Sequence, residues 1–385
     1  MDYSIKLENI EYIFDGDTLR LFKECKNSNN KALSLKKDKR FSNRVVIFVA
    51  NMCNAKCVYC YQTHHTNKLM TRQDADNAIK FLADNYDEIA EVHFFGGEPL
   101  LNYKIIKYIV EKLSNSIKVN KWKITSNIML LNPRMINFFE KNNFGFMISL
   151  DGPKLIHDKL RKGCKFEVVD KNIKLLLKSK LRNNIEINCT YTKLHSKYIE
   201  KKELIDFFNN YGVKFFISKV ETDIEDLEVE DNSIKEQIDS AIDGLINYTY
   251  QAIQNRYILD VLGALIFHKK KEKFCDDIGS AVSIDCDAKV YPCTKLNGVE
   301  DIDIKKIDDC NNKNNEVCNK CWARNFCSLC CIKIYYGEKE KVKNLNLCEQ
   351  KKGYEYALYR ILELYHYKRN LFDVVVDNYM KKITV

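Results

Sequence analysis

The chain has 385 residues, 45% hydrophobic and 30% charged, with only 13 Gly and 4 Pro, a balance that excludes collagenous, low-complexity and wholly disordered proteins. Its 62 basic and 53 acidic residues leave a net charge of +9, but the lysines are interleaved with acids and Asn. They read as a solvated basic surface, with contact to an acidic partner as the other reading. The outlying number is 16 cysteines.

The first 20 residues carry scattered charges and no apolar core of a signal peptide. The densest apolar run, Val45 to Ala50, has six residues, far short of the 18 or so a membrane helix needs. A cytoplasmic, reducing location is therefore expected, where clustered cysteines favour metal over disulfides. Six cysteines are spread over the first 270 residues and ten lie between Cys275 and Cys348, which divides the chain into two chemically different regions.

In chain order, Ile5 to Phe14 reads as one or two short strands. Val45 to Ala50 is a buried strand, after which Thr71 caps a helix over Asp74 to Tyr86 whose Ala78, Ile79, Phe81 and Leu82 recur at helical spacing. Strand Ile89 to Phe95 and helix Tyr103 to Leu113 follow, then strand Lys123 to Thr125 with helix Arg134 to Glu140. Strand Phe144 to Leu150 leads to helix Val168 to Leu181. The series closes with strand Ile185 to Thr192, helix Tyr198 to Tyr211 and strand Val213 to Val220. Six strands with intervening helices imply right-handed βαβ units, a parallel sheet and an open, partial (β/α)6 TIM-type barrel of the α/β class. Ser233 to His268 reads as a helical bridge, Lys269 to Lys273 as a solvated connector, and Tyr354 to Val385 as helical packing. The segments are then 1–42 (short strands), 43–225 (barrel), 226–270 (bridge), 271–350 (Cys-rich domain) and 351–385 (helical tail).

Loops at the carboxyl ends of parallel barrel strands share one face. Four polar clusters fall there: Cys53-Asn-Ala-Lys-Cys57-Val-Tyr59-Cys60, Gly96-Gly97-Glu98-Pro99, Thr125-Ser126-Asn127, and Ser149-Leu-Asp151-Gly152-Pro153. Thiolates at spacings of three and two residues can hold three corners of an iron–sulfur cube, leaving one iron without a protein ligand. Zinc completed by His64 or His65, or three unconnected thiols, are the other readings. In the second cluster the glycines let a backbone pass close to a ligand, Glu98 offers a carboxylate to an ammonium group, and Pro99 fixes the exit of the turn.

In this order and after successive strands, the Cys53–Cys57–Cys60 loop and the Gly-Gly-Glu-Pro segment resemble the radical S-adenosylmethionine (SAM) superfamily, over roughly residues 42 to 225. The resemblance implies a 4Fe-4S cluster on Cys53, Cys57 and Cys60 whose open iron is chelated by SAM. It implies Tyr59 as the aromatic preceding the third cysteine, and Gly96, Gly97, Glu98 and Pro99 as the methionine-binding strand, with Gly97 and Glu98 nearest the amine. Ser126, Asn127, Ser149 and Asp151, at the matching strand ends, are the implied polar contacts to SAM. His157, Asp158 and Arg161 are similar to a family pattern after the fourth strand, though their spacing also suits a surface.

Beyond the barrel, Cys275-x12-Ala288-x4-Cys293, then Cys318-x2-Cys321-x5-Cys327-x3-Cys331, and finally Cys348 resemble the SPASM extension, which holds two auxiliary 4Fe-4S clusters. The resemblance implies Cys275, Cys293 and Cys331 on the first cluster and Cys318, Cys321, Cys327 and Cys348 on the second. Cys286 is the candidate fourth ligand of the first. Ala288 stands where Gly is usual, so the backbone there is expected to avoid positive φ. Cys310 and Cys330 match nothing, and Cys25, Cys164 and Cys189 read as buried small hydrophobes. A structural zinc ribbon is the other reading of these cysteines.

The implied chemistry is reductive cleavage of SAM, fed by a flavodoxin or ferredoxin, and hydrogen abstraction from a substrate positioned in a water-excluding site. SPASM enzymes that make formylglycine in sulfatases carry an Asp, the general base, just after the cysteine equivalent to Cys293. Here it is Thr294. A maturase of a ribosomally synthesised, Cys-containing peptide, making a thioether or a carbon–carbon cross-link, is therefore preferred. Only about 42 residues precede the barrel, so leader recognition is assigned to a small element or a separate protein. The competing class is a zinc-bound structural or nucleic-acid-binding module, suggested by the net charge and the CxxC pair; the preferred reading expects neither nucleic acid nor membrane as partner.

Overall fold

The computed structural model describes residues 2–7, 10–22, 40–60, 67–220, 222, 224–229, 234–247, 255–268, 270–275, 278–299, 301–313, 316–332 and 347–384. Cys25, His64 and His65 lie outside them, as does the side chain of Cys348. The chain divides into two compact units. One comprises Met1–Lys36, Asp231–Asp276 and Asp301–Val385; the other comprises Lys37–Glu230 and Asp277–Glu300.

In the first unit, β1 (Asp2–Leu7), β2 (Ile10–Asp15) and β3 (Arg20–Phe22) form an antiparallel three-stranded sheet. The ring of Tyr3 stacks on Trp322 at 4.4 Å, and Phe14 meets Trp322 and Phe326 edge-on. The amino-terminal strands and the cysteine segment 318–331, read from sequence as separate pieces, thus share a core.

The second unit is built on an eight-stranded sheet. It contains β4 (Phe41–Ala50), β6 (Glu88–Gly96), β7 (Lys118–Ser126), β8 (Gly145–Ser149), β10 (Ile185–Tyr191), β11 (Lys214–Lys219), β12 (Ala281–Ile284) and β13 (Val290–Tyr291), while β5 (Lys56–Cys57) pairs apart with β9 (Arg161–Lys162). The order is β11-β10-β8-β7-β6-β4-β12-β13, parallel throughout except the β12–β13 hairpin. The six parallel strands expected from sequence are all present. The sheet is extended by two strands from the stretch 271–350, which sequence reading treated as one segment; Ala281–Ile284 runs beside Arg44–Ile47.

Periodicity explains the layering. Along β4 the residues Val45, Ile47 and Val49 are fully buried on one face, while Val46 and Phe48 pack on the other. The connecting helices cover the first face: α1 (Arg72–Asn85) buries Ala75, Ala78 and Leu82, and α2 (Tyr103–Leu113) buries Ile106, Ile109, Val110 and Leu113. Thr71 starts α1 with a reciprocal capping box to Asp74. Under α3 (Pro133–Lys141), Phe139, Phe144 and Phe146 pack edge to face at 4.8–5.1 Å, each burial contributing about 1.5–3 kcal/mol.

The chain then forms α4 (Lys154–Leu160), α5 (Phe166–Leu177), α6 (Lys193–Tyr198) and α7 (Lys201–Asn209). The helix expected over Tyr198 to Tyr211 is present as α7 but starts later: β-branched Ile199 is extended at the end of the separate α6, and Glu200 with Glu203 forms the capping box that starts α7. In the first unit, α8 (Ile234–Asn247) and α9 (Arg256–Phe267) occupy the bridge. After α10 (Ile304–Asn311), α11 (Leu347–Tyr367) and α12 (Arg369–Thr384) form the tail. Among the described residues no helix is long and apolar enough to cross a membrane.

Candidate active site

β4 delivers the chain into the loop carrying Cys53, Cys57 and Cys60, and backbone contacts hold that loop. The N–H of Gly97 donates to the Ala50 carbonyl at 2.7 Å, that of Glu98 to Met52 at 2.8 Å, and that of Val58 to Leu160 at 2.8 Å. Gly96 has φ +140°, and a Cβ there would sit 2.1 Å from the Ala50 oxygen; at Gly97 it would sit 2.2 Å from the Met52 oxygen. The two glycines are therefore required by the cysteine loop itself, a closer neighbour than the ligand that sequence reading had in view.

The three thiols are partly buried and not in disulfides. Burial pushes Cys53 up to about 11, reinforced by Glu98, Cys57 and Cys60, while its sulfur accepts the Ala55 N–H at 3.4 Å. Burial also raises Cys57, against the pull of the Arg161 guanidinium, whose Nη1 is 3.8 Å from its sulfur. The sulfurs share one electrostatic environment, yet among the described residues no three Cys, His, Asp or Glu side chains converge on a point that would hold a single ion. Three thiols on one loop are a donor set that fits a cube, each cysteine holding a different iron; the histidines of the zinc reading, His64 and His65, lie outside the described residues.

Glu98 is fully buried and bonded entirely within the protein. Oε1 accepts from the Ser126 hydroxyl at 2.7 Å and the Leu100 N–H at 3.0 Å, and Oε2 from the Asn127 N–H at 2.8 Å. These bonds tie the ends of β6 and β7 together through the carboxylate that sequence reading proposes as an ammonium contact. Burial pushes its carboxyl up to about 7, partly offset by those hydrogen bonds. Pro99 opens a short 3-10 turn over Pro99–Asn102. Asn127 Nδ2 donates to Asn54 Oδ1 at 2.8 Å, which ties the end of β7 to the cysteine loop. Ser149 is half-buried at the end of β8, beside Asn188.

Asp151 and Tyr59 meet each other rather than standing apart as two contacts. Asp151 is completely buried, and its Oδ2 accepts a short hydrogen bond from the Tyr59 hydroxyl. Arg161 Nη2 donates to Oδ1 at 3.0 Å, its Nε lies 2.9 Å from Oδ2, and the Thr190 N–H donates to Oδ1 at 3.0 Å. Arg161 and His157 are buried, so the pattern after the fourth strand is interior and not surface. His195 completes the cluster: Nε2 lies 2.7 Å from the Asp151 carbonyl and so carries the ring proton, while Nδ1 accepts the Thr192 N–H at 3.0 Å. Sequence reading missed Asn54 and His195. Asn54 had only its place inside the cysteine triplet as a signal, and His195 had none.

The carboxy-terminal cysteines are distributed over both units. Cys318, Cys327 and Cys331 are buried, and Cys275, Cys293 and Cys321 partly so. Cys275 is bracketed by Asn311, which accepts its N–H at 2.8 Å and donates to its carbonyl at 3.0 Å. Cys286, the candidate fourth ligand, is a core thiol packed with Val46 and Phe48. It donates to the Phe48 carbonyl at 3.1 Å, and burial pushes it up to about 12, as burial also raises Cys53 and Cys327. Cys164 and Cys189 are buried as expected. The expectation for Ala288 is overturned: its φ is +60°. Asp285 imposes that geometry, accepting the N–H groups of Asp287 and Lys289 at 2.9 Å on one carboxylate oxygen while its backbone closes the turn with Ala288 and Lys289.

Residues 47–208 match the radical SAM superfamily. That stretch is a radical SAM domain, and the chain's relatives are radical SAM enzymes. The chain is 25% identical over 379 residues to the radical SAM cyclopropyl synthase TigE of Paramaledivibacter caminithermalis, covering 86% of this chain and 76% of that protein. It is 24% identical over 358 residues to the cysteine-type anaerobic sulfatase-maturating enzyme of Clostridium perfringens strain 13, covering 81% and 95%. A solved structure described as native anSMEcpe with bound AdoMet and Cp18Cys peptide matches with a TM-score of 0.63 at 19% identity, covering 84% of this chain and 99% of that one, a likeness of fold. Membership of the superfamily implies SAM and a 4Fe-4S cluster, and the Cys-rich carboxy-terminal region is consistent with a SPASM extension.

Proposed function

We propose that this radical SAM enzyme matures a ribosomally synthesised, Cys-containing precursor peptide by forming a thioether or a carbon–carbon cross-link. The observation that carries the reading is the seven-cysteine carboxy-terminal pattern in a chain that aligns along most of its length with a cyclopropyl synthase and a sulfatase-maturating enzyme. Cys53, Cys57 and Cys60 would hold the SAM-binding cluster, and Cys275, Cys293, Cys331, Cys318, Cys321, Cys327 and Cys348 two auxiliary ones. With SAM bound, the first cluster would supply the electron for its cleavage to a 5′-deoxyadenosyl radical; the peptide would lose one hydrogen atom to that radical, giving 5′-deoxyadenosine, and the second as a proton plus an electron accepted by an auxiliary cluster as the cross-link closes.

The chain's own residues fix the stage for that step. Gly96 and Gly97 admit the cysteine loop, Glu98 and Asn127 lock the adjoining strand ends, and Asp151 holds Tyr59 and Arg161 beside Cys57. Ser126, Ser149 and the backbone of Gly97 are the polar groups proposed to border SAM. A flavodoxin or ferredoxin would donate the electron, and a separate protein could present the leader.

A second reading, formylglycine formation, is favoured by the fold likeness to the sulfatase-maturating enzyme. Thr294, exposed at the start of a 3-10 turn, supplies no carboxylate there. Coexpression with a small Cys-rich peptide followed by mass spectrometry separates the two. A cross-linked peptide lighter by two hydrogens is expected, with its cysteine unreactive to iodoacetamide when a thioether forms. Conversion of a sulfatase-derived cysteine peptide to formylglycine, with no cross-linking of any small peptide, would overturn the proposal. A colourless protein containing zinc and no iron after anaerobic purification would sink both.

A further inference from the structure

Lys313 is a completely buried lysine among the carboxy-terminal cysteines. It follows α10 with a left-handed backbone, φ +58°, that directs its side chain inward. Its ammonium donates to three carbonyl oxygens, those of Arg324 at 2.6 Å and of Lys271 and Cys327 at 2.8 Å. The Phe274 ring lies 5.2 Å away.

Carbonyl dipoles satisfy its three N–H bonds but leave a full positive charge in a dry site, which costs several kcal/mol without an anion. Among the described residues no carboxylate forms an ion pair with it. The acid in electrostatic range, Asp260, is held at 2.6 Å by Lys271 and also accepts from Tyr354 at 2.8 Å and from Ser328. The Lys271 ammonium opposes the Lys313 charge, and the remaining groups acting on it are the thiols of Cys327 and Cys318, both buried. Thiolates ligating an iron–sulfur cluster there would supply the missing negative charge, so the residues present fit such a group.

We propose that Lys313 is the built-in counter-cation of a cluster held by Cys318, Cys321 and Cys327, holding their loop through three carbonyls and raising the cluster's reduction potential. The inference rests on the auxiliary clusters proposed above. A fixed positive charge favours the reduced cluster, which carries one more negative charge. Lys313 is a positioning residue and takes no part in the chemistry at SAM.

The experiment uses the full-length Cys53→Ala/Cys57→Ala/Cys60→Ala protein, whose iron reports the carboxy-terminal cysteines alone. Lys313→Met and Lys313→Arg are added to it, and iron content and redox titration followed by electron paramagnetic resonance are read on each. Lys313→Met should keep its iron and shift the reduced-to-oxidised ratio of one cluster at fixed potential at least tenfold toward oxidised, about 59 mV for one electron, with Lys313→Arg near the parent. Loss in Lys313→Met of about four irons that Lys313→Arg retains also supports the proposal. Equal iron and equal potentials in Lys313→Met and the parent would overturn it while leaving the clusters in place. Equal iron loss in both variants would show that shape, not charge, matters, and would overturn it as well. An iron-free parent would overturn the auxiliary-cluster reading together with this one.

Discussion

Each of the two cysteine-bearing regions has a buried cation beside its thiols, but the cations are balanced differently. In the barrel, Arg161 reaches Cys57 while lying against Asp151, which neutralises it within the protein. In the other unit, Lys313 reaches the Cys327 carbonyl with no carboxylate paired to it among the described residues. The means of holding the cysteines differ too. The barrel loop is clamped backbone to backbone through Gly97 and Glu98, whereas Cys275 and the 318–331 segment hang on side chains, Asn311 and Lys313, that grip carbonyls. A site built from backbone is prepared by the fold before any metal arrives; one built on an unbalanced charge gains most when the metal arrives.

The largest effect should come from replacing Cys53, Cys57 and Cys60 with Ala together. Formation of 5′-deoxyadenosine from SAM under dithionite should vanish while iron on the carboxy-terminal cysteines persists. Continued SAM cleavage would break the division of labour between the regions. Gly97→Ala comes next: its Cβ would strike backbone at Met52, which no side-chain rotation relieves. A loss of about 100-fold in SAM cleavage is expected from the displaced cysteine loop, readable as deoxyadenosine per hour.

Asp151→Asn tests the balanced cation. Leaving Arg161 buried and unpaired should destabilise the barrel by about 3–5 kcal/mol in urea unfolding. An unchanged midpoint would mean that Arg161 draws no net stabilisation from its partner.

Glu98→Gln should alter the pH dependence rather than the plateau. Its carboxyl sits near 7 in the folded protein against an ordinary 4.5, so the folded state binds more protons between those values. Stability from this group is fully present below about pH 4.5 and is lost as pH rises through 7, by at most about 3 kcal/mol. The wild-type unfolding midpoint should therefore fall from pH 5 to pH 8 more steeply than that of Glu98→Gln; parallel slopes would refute the burial argument. The smallest effect is Ala288→Gly, which relieves a left-handed alanine and should gain about 0.5–1 kcal/mol in the same assay.

Much of the barrel was legible because the period of the sequence matches the period of the structure. Val45 to Ala50 and Tyr103 to Leu113 read directly as strand and helix, since tertiary packing and local pattern agree there. The start of α7 was placed too early because the capping pair Glu200 and Glu203 was overlooked. β12 escaped because four residues in a Cys-rich stretch carry no strand signal of their own; their partner is set by the exposed edge of β4. At the site, residue types were legible and directions were not. Glu98 and Asp151 were legible as polar groups after strands and Tyr59 as the aromatic before the third cysteine, but not that Glu98 accepts from Ser126 and Asp151 from Tyr59, because a buried carboxylate must find donors wherever the fold offers them. Ala288 shows the same limit from the other side: the side chain of Asp285, three residues earlier, outweighs the backbone preference of alanine.

The parallel pairing of Ala281–Ile284 with β4 also sets a timetable. β4 leaves the ribosome roughly 230 residues before its neighbour on that side, an interval of about 10–50 s at ordinary synthesis rates. Throughout it, the strand that leads into the cysteine loop presents an unpaired edge. Nascent chains stopped before residue 281 should therefore be the aggregation-prone ones.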